Sequence, residues 1–180
     1  RYQKYLLNFK RPSGTSRGVL TEKETWFIII EHQGKTGIGE CGILRTLSYD
    51  DRPDYQAKLE WVCQNIDAGP EQIWEELRDF PSIQFGVEMA FKSLEAAHPF
   101  ILTPSDFTAG FDAIPINGLV WMGSREYMKE QIIEKIASGF TCIKLKIGAI
   151  DFDTELELLR FIRSEFSARD IEIRVDANGA

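Results

Sequence analysis

Two lysines one residue apart, in Lys144-Leu-Lys146-Ile-Gly148, are followed about one helix-length later by Arg174-Val-Asp176-Ala-Asn178-Gly179. On a strand, residues two apart point to the same side. The first motif therefore aims two amines one way, and the second an acid and an amide. Lysines so placed sit roughly 6.5 Å apart. At an effective dielectric of about 20, two ammoniums at that distance repel by about 2.5 kcal/mol, which pushes one towards the neutral form a general base requires. Asp176 brings an oxygen of the kind a hard divalent cation binds, although Mg²⁺ takes about six and one carboxylate is not a metal site. An amine base beside an oxygen-bound cation is equipment for removing a proton and holding the resulting anion. Each motif alone has a plainer explanation. A Lys-x-Lys pair is commonly two solvated side chains, and Asp-Ala-Asn-Gly is commonly a strand entering an Asn-Gly turn. Their conjunction on successive strands favours chemistry.

The elements that must position these motifs follow from the patterning. From Ala113 the rhythm predicts strand over 114–120, helix over 124–138, strand over 141–147, helix over 153–166 and strand over 171–176, which is the spacing of parallel βα units. Ile143, Leu145 and Ile147 alternate with Cys142, Lys144 and Lys146, and Ile171, Ile173 and Val175 with Glu172, Arg174 and Asp176. A parallel strand covered on both faces reads as nearly all apolar. One charged face suits instead the interior of a βα barrel, whose C-terminal end carries active sites. Three strands cannot close a barrel of about eight. The expectation is therefore an N-terminal fragment of a longer protein, inactive in isolation, and residue 1 is Arg rather than Met.

The first hundred residues differ in kind. Strands are predicted over 2–9, 24–32 and 36–40, with a turn at Gln33-Gly34-Lys35. The polar, glycine-rich segment 11–18 between the first two reads as a surface loop or, more pointedly, a lid. Helices are predicted over 55–66, 70–78 and 81–97, the last with Phe85, Met89, Phe91, Leu94 and Ala97 as its apolar positions. Strands followed by helices suggest an α+β unit. The chain thus divides into 1–112, ending in a Pro- and Gly-containing linker, and 113–180. Gly37-Ile-Gly39-Glu-Cys-Gly42 spells a dinucleotide fingerprint, but that motif needs a parallel strand before it and a helix directly after it. A hairpin strand precedes it here, so the glycines are read as strand-end and turn residues. His32 and His98 share no ligand spacing and are read as structural.

Composition narrows the classes. The 180 residues are 43% hydrophobic and 27% charged, with 21 basic and 28 acidic side chains for a net charge of −7. That is a soluble globular profile with no basic stripe, which argues against nucleic-acid binding. Nothing is apolar enough to suggest a membrane partner, and three scattered cysteines suggest a reduced compartment, so a cytoplasmic location is expected.

At this point the residues resemble a known family. Lys144-Leu-Lys146 with Asp176-Ala-Asn178 on the next barrel strand is similar to the muconate-lactonizing subgroup of the enolase superfamily. Gly37-Ile-Gly39-Glu40 closing a sheet and Phe85-Gly-Val-Glu88-Met-Ala on a helix are similar to its capping domain. Within the subgroup, Arg17-Gly-Val-Leu20, Ile116-Asn-Gly-Leu119 and Arg174-Val-Asp-Ala-Asn178 look most like the o-succinylbenzoate synthase family. The resemblance implies an α+β capping domain followed by the first βα units of an enolase-superfamily (β/α) barrel. It implies Lys146 as the base, Lys144 tuning the field around it, and Asp176 as the first of three acidic ligands to Mg²⁺ or Mn²⁺. Asn178, Arg174 and Arg17 would serve the substrate region, with 11–18 closing over a small carboxylate. The implied reaction is a dehydration of menaquinone biosynthesis through an enediolate; Lys or His bases with Mg²⁺ are a known pattern in this superfamily. Racemases of N-succinylamino acids, dipeptide epimerases and a non-catalytic binding protein are the rivals.

Overall fold

The computed structural model describes residues 1–15, 18–148 and 151–177. The chain forms two compact units, Arg1–Lys10 with Thr21–Asp112, and Arg11–Leu20 with Ala113–Ala180. The first is built on an antiparallel sheet in the order β1 (Tyr2–Thr15), β2 (Gly18–His32), β3 (Lys35–Gly42). Between β2 and β3, His32 pairs with Lys35 across Gln33 and Gly34. Both linking residues have positive φ, 49° and 77°, and a two-residue turn of that hand matches the twist of its strands. The segment expected to be a loop, 11–18, is strand up to Thr15 and again from Gly18; Ser16 and Arg17 lie outside the described residues. Ladder bonds are made by the backbone, so a polar composition does not prevent pairing, and an edge strand tolerates Pro12.

Three α-helices complete this unit: α1 (Tyr55–Asn65), α2 (Pro70–Ile73) and α3 (Pro81–Glu95). The helix expected over 70–78 is shorter, giving way to a 3₁₀ turn at Glu75–Leu77. Helix α3 lies directly on β3. A Cβ on Gly39 would come within 1.8 Å of the Gly86 carbonyl oxygen, and one on Gly86 within 2.3 Å of the Cys41 sulfur. The glycines of the spurious fingerprint therefore let two backbones approach. This close approach also corrects the expected apolar face of α3. Ile83, Gly86, Val87, Ala90 and Ser93 are buried, whereas Phe85 is 55% exposed; at the closest approach to the sheet, Gly86 and Ala90 leave no room for a large side chain. Buried Asp50 holds the start of the helix, accepting hydrogen bonds from the Ser82 N–H (2.8 Å) and Oγ (2.6 Å).

The second unit carries β4 (Gly118–Val120), α4 (Arg125–Ala137), β5 (Cys142–Lys146), α5 (Phe152–Glu165) and β6 (Glu172–Asp176), with the strands parallel in the order β4-β5-β6. Strand β4 is shorter than the expected 114–120: it pairs with β5 only over Gly118–Val120, and Ile114 and Ile116 are exposed. Both helices begin on a side-chain cap, Ser124 accepting from the Tyr127 N–H and Asp151 from the Thr154 N–H, which satisfies an otherwise orphaned donor. Gly139, with φ of 86°, follows α4. Val120, Met128, Ile132, Ile143, Leu145 and Leu158 belong to one buried cluster. The buried stripe of α5 is Glu155, Leu158 and Ile162, with Leu156, Leu159 and Phe161 only partly covered. Among the described residues, no helix is long and apolar enough to cross a membrane.

Candidate active site

The site is assembled by alternation on β5 and β6. Ile143 and Leu145 are buried, and burying them against the helices turns Cys142, Lys144 and Lys146 to the opposite face of the sheet. Parallel pairing sets Lys144 beside Arg174 and Lys146 beside Asp176, so residues from both strands share that face. The Ile147 N–H donates to the Asp176 carbonyl oxygen at 2.9 Å, closing the ladder at the C-terminal ends of the strands.

The acid and one lysine meet directly. Lys144 Nζ is 2.9 Å from Asp176 Oδ2, each side chain about a third exposed at 33%. The carboxylate thus reaches back along the sheet face to the amine one same-face pair before its own register partner, while Lys146 is half-buried at the strand end. The repulsion between two bare ammoniums, on which the sequence argument rested, omits this counter-ion: Asp176 offsets much of the charge of Lys144.

Arg174 sits on the same face, its Nε donating to Glu172 Oε1 at 2.7 Å. That hydrogen bond holds its guanidinium pKa above the usual arginine value. The structure therefore brings together Lys144, Lys146, Asp176 and Arg174 on two adjacent strands. Asn178 and Arg17 lie outside the described residues, and their expected roles remain readings of the sequence.

As a metal ligand Asp176 is suitable in chemistry and incomplete in number. Its oxygen already lies against a cation, the Lys144 ammonium. No group of three or more His, Cys, Asp or Glu side chains among the described residues could hold a metal ion. Since Mg²⁺ takes about six oxygens, Asp176 can supply one position of a shell and not the shell itself.

One neighbouring acid escaped the sequence reading. Glu155 is 6% exposed, and its Oε1 accepts a hydrogen bond from the Gly148 N–H at 2.6 Å. The available signal was its position one turn before Leu158, on the stripe that the helical period marks for burial.

Against known proteins, the model of the MenC N-terminal domain family matches residues 3–94. The o-succinylbenzoate synthase of Desulfotalea psychrophila (strain LSv54) is 40% identical over 210 residues, spanning 99% of this chain and 57% of its own length. The crystal structure of MenC from the same strain matches at a TM-score of 0.77 and 35% identity, over 99% of this chain and 56% of the other. The o-succinylbenzoate synthase of Thermosynechococcus elongatus BP-1, complexed with Mg in its active site, matches at a TM-score of 0.66 and 21% identity, over 99% of this chain and 52% of the other. That last likeness shows the fold alone. The antiparallel sheet with its helices followed by parallel βα units is the enolase-superfamily arrangement, and the chain spans a little over half the length of these relatives.

Proposed function

The chain belongs to the MenC family through its N-terminal domain, and from that premise we propose that the whole protein is an o-succinylbenzoate synthase, with residues 1–112 as its capping domain and 113–180 as the first part of its barrel. The observation that carries the reading is the meeting of Lys144, Lys146 and Asp176 at the ends of neighbouring parallel strands, where a βα barrel places its chemistry. Lys146 is the base. Its amine takes the proton α to the substrate carboxylate, and the electron pair of the broken C–H bond becomes a new ring double bond. The hydroxyl leaves with the C–O electron pair and receives a proton from Lys146, so water is released and the base is regenerated. Aromatisation of the succinyl-hydroxycyclohexadiene carboxylate drives the step.

Asp176, with ligands from the rest of the protein, holds Mg²⁺ or Mn²⁺, which supplies positive charge against the substrate carboxylate. Lys144 sets the field at Lys146. Arg174, Asn178 and Arg17 serve the substrate region. The partner is a small carboxylate, and the proposed setting is the cytoplasm.

The test is turnover by the full-length protein. Lys146→Ala should abolish dehydration while circular dichroism shows the fold retained; normal turnover by that variant would remove Lys146 from the role. Turnover of N-acylamino acids or dipeptides in place of the cyclohexadiene would move the protein to the racemases or epimerases.

A further inference from the structure

We infer that Glu155 is the positioning residue for the catalytic end of β5, an inference that rests on the reading of Lys146 as the base. Glu155 is 6% exposed on the buried stripe of α5, ahead of Leu158 and Ile162. Burying a carboxylate is costly unless it is hydrogen-bonded, so packing alone does not account for an acid here. Its Oε1 accepts from the Gly148 N–H at 2.6 Å. Gly148 has a φ of 93°, a conformation that side-chain-bearing residues rarely adopt, so the chain turns two residues beyond Lys146.

The two ends of this turn are tied differently. Ile147 is held by the main chain, its N–H donating to the Asp176 carbonyl. Gly148 is held by Glu155, which supplies an acceptor where the ladder has ended. Glu155 lies in the first turns of α5, where the helix dipole favours negative charge. A charge-assisted hydrogen bond from a rigid helix is a strong tether. It fixes the strand end that carries the base against α5, while the Ile147 bond holds that end to the strand that carries Asp176. Loss of the tether lets the Lys146 amine wander relative to the proton it must take, and a displacement of about 1 Å can cost on the order of a hundredfold in rate.

Substitutions at Glu155 separate the possibilities. In the full-length enzyme, Glu155→Ala should shift the Gly148 amide resonance and lower its hydrogen-exchange protection by about tenfold or more. In the full-length enzyme the same change should lower kcat by about tenfold to a hundredfold and leave KM nearly unchanged. Glu155→Gln keeps an oxygen within reach and should restore both readouts. Glu155→Asp keeps the charge but shortens the reach by one methylene, so it should behave as the alanine variant does and replaces it if alanine prevents folding. An unaltered Gly148 amide in the alanine or aspartate variant, or a glutamine variant that restores nothing, overturns the tether. A loosened amide with full kcat overturns the positioning role. Failure of the Lys146 reading looks different: Lys146→Ala would retain turnover while the Gly148 amide still answered to Glu155.

Discussion

Lys144 shows how one contact alters the meaning of a motif. In the sequence it is half of a repelling pair. In the folded chain its ammonium lies 2.9 Å from Asp176 Oδ2, and the acid proposed to bind metal is already neutralised. A partly exposed pair of this kind contributes at most about 1 kcal/mol. A divalent cation bound by Asp176 competes with Lys144 for the same oxygens. Lys144→Ala in the full-length protein should therefore tighten Mg²⁺ binding by up to about fivefold, measured by calorimetric titration; weaker binding would mean that Lys144 helps to shape the metal site. Pairing of Lys144 with Asp176 was not legible in Lys-x-Lys, because it depends on a parallel register between strands thirty residues apart. The shared face of Lys144 and Lys146 was legible, because alternation along a strand is local.

At the scale of elements, the contact of α3 with β3 depends on missing side chains. Gly39→Ala sets a methyl carbon against a backbone oxygen that cannot rotate away. The expected cost is about 1–3 kcal/mol, read as a lower urea midpoint with an unchanged slope. The neighbouring segment after β3 is held by charge. Burial raises the Glu24 carboxyl, but hydrogen bonds from Lys4, Trp26 and Arg45 outweigh it and leave the pKa lowered. The Thr46 N–H and then Arg45 lower that of Asp51. Carboxyls depressed in this way stabilise the fold above their unfolded pKa of about 4 and lose that contribution as pH falls through the lower folded values. The hydrogen-exchange protection factor of Thr46 should thus fall below about pH 4 and hold steady from there to neutrality. A loss of protection already near pH 6 would implicate other groups. Helix α3 was placed within two residues by its spacing and Pro81, but its buried face was misassigned to Phe85 and Met89. Hydrophobicity marks what prefers burial; closeness of approach decided here that Gly86, Ala90 and Ser93 are buried instead.

For the whole molecule, the metal supplies the sharpest test. Asp176 alone does not make a binding shell, so chelation of the full-length protein should abolish dehydration and addition of Mg²⁺ should restore it. Circular dichroism should be unchanged throughout, since both hydrophobic clusters are built from residues other than Asp176. Dehydration that survives chelation would overturn the proposed role of Asp176. The amino-acid sequence by itself determined the βα rhythm after residue 113, the antiparallel sheet before it, and the common face of Lys144 and Lys146. All of these follow from periodicity and turn chemistry, which act over a few residues. Only the tertiary structure decided that Asp176 pairs with Lys144, that Glu155 turns inward to Gly148, and that the segment expected as a loop is strand up to Thr15 and again from Gly18. Each of those depends on which backbone lies beside which, and local spacing does not encode distances between segments that meet only after the chain has folded.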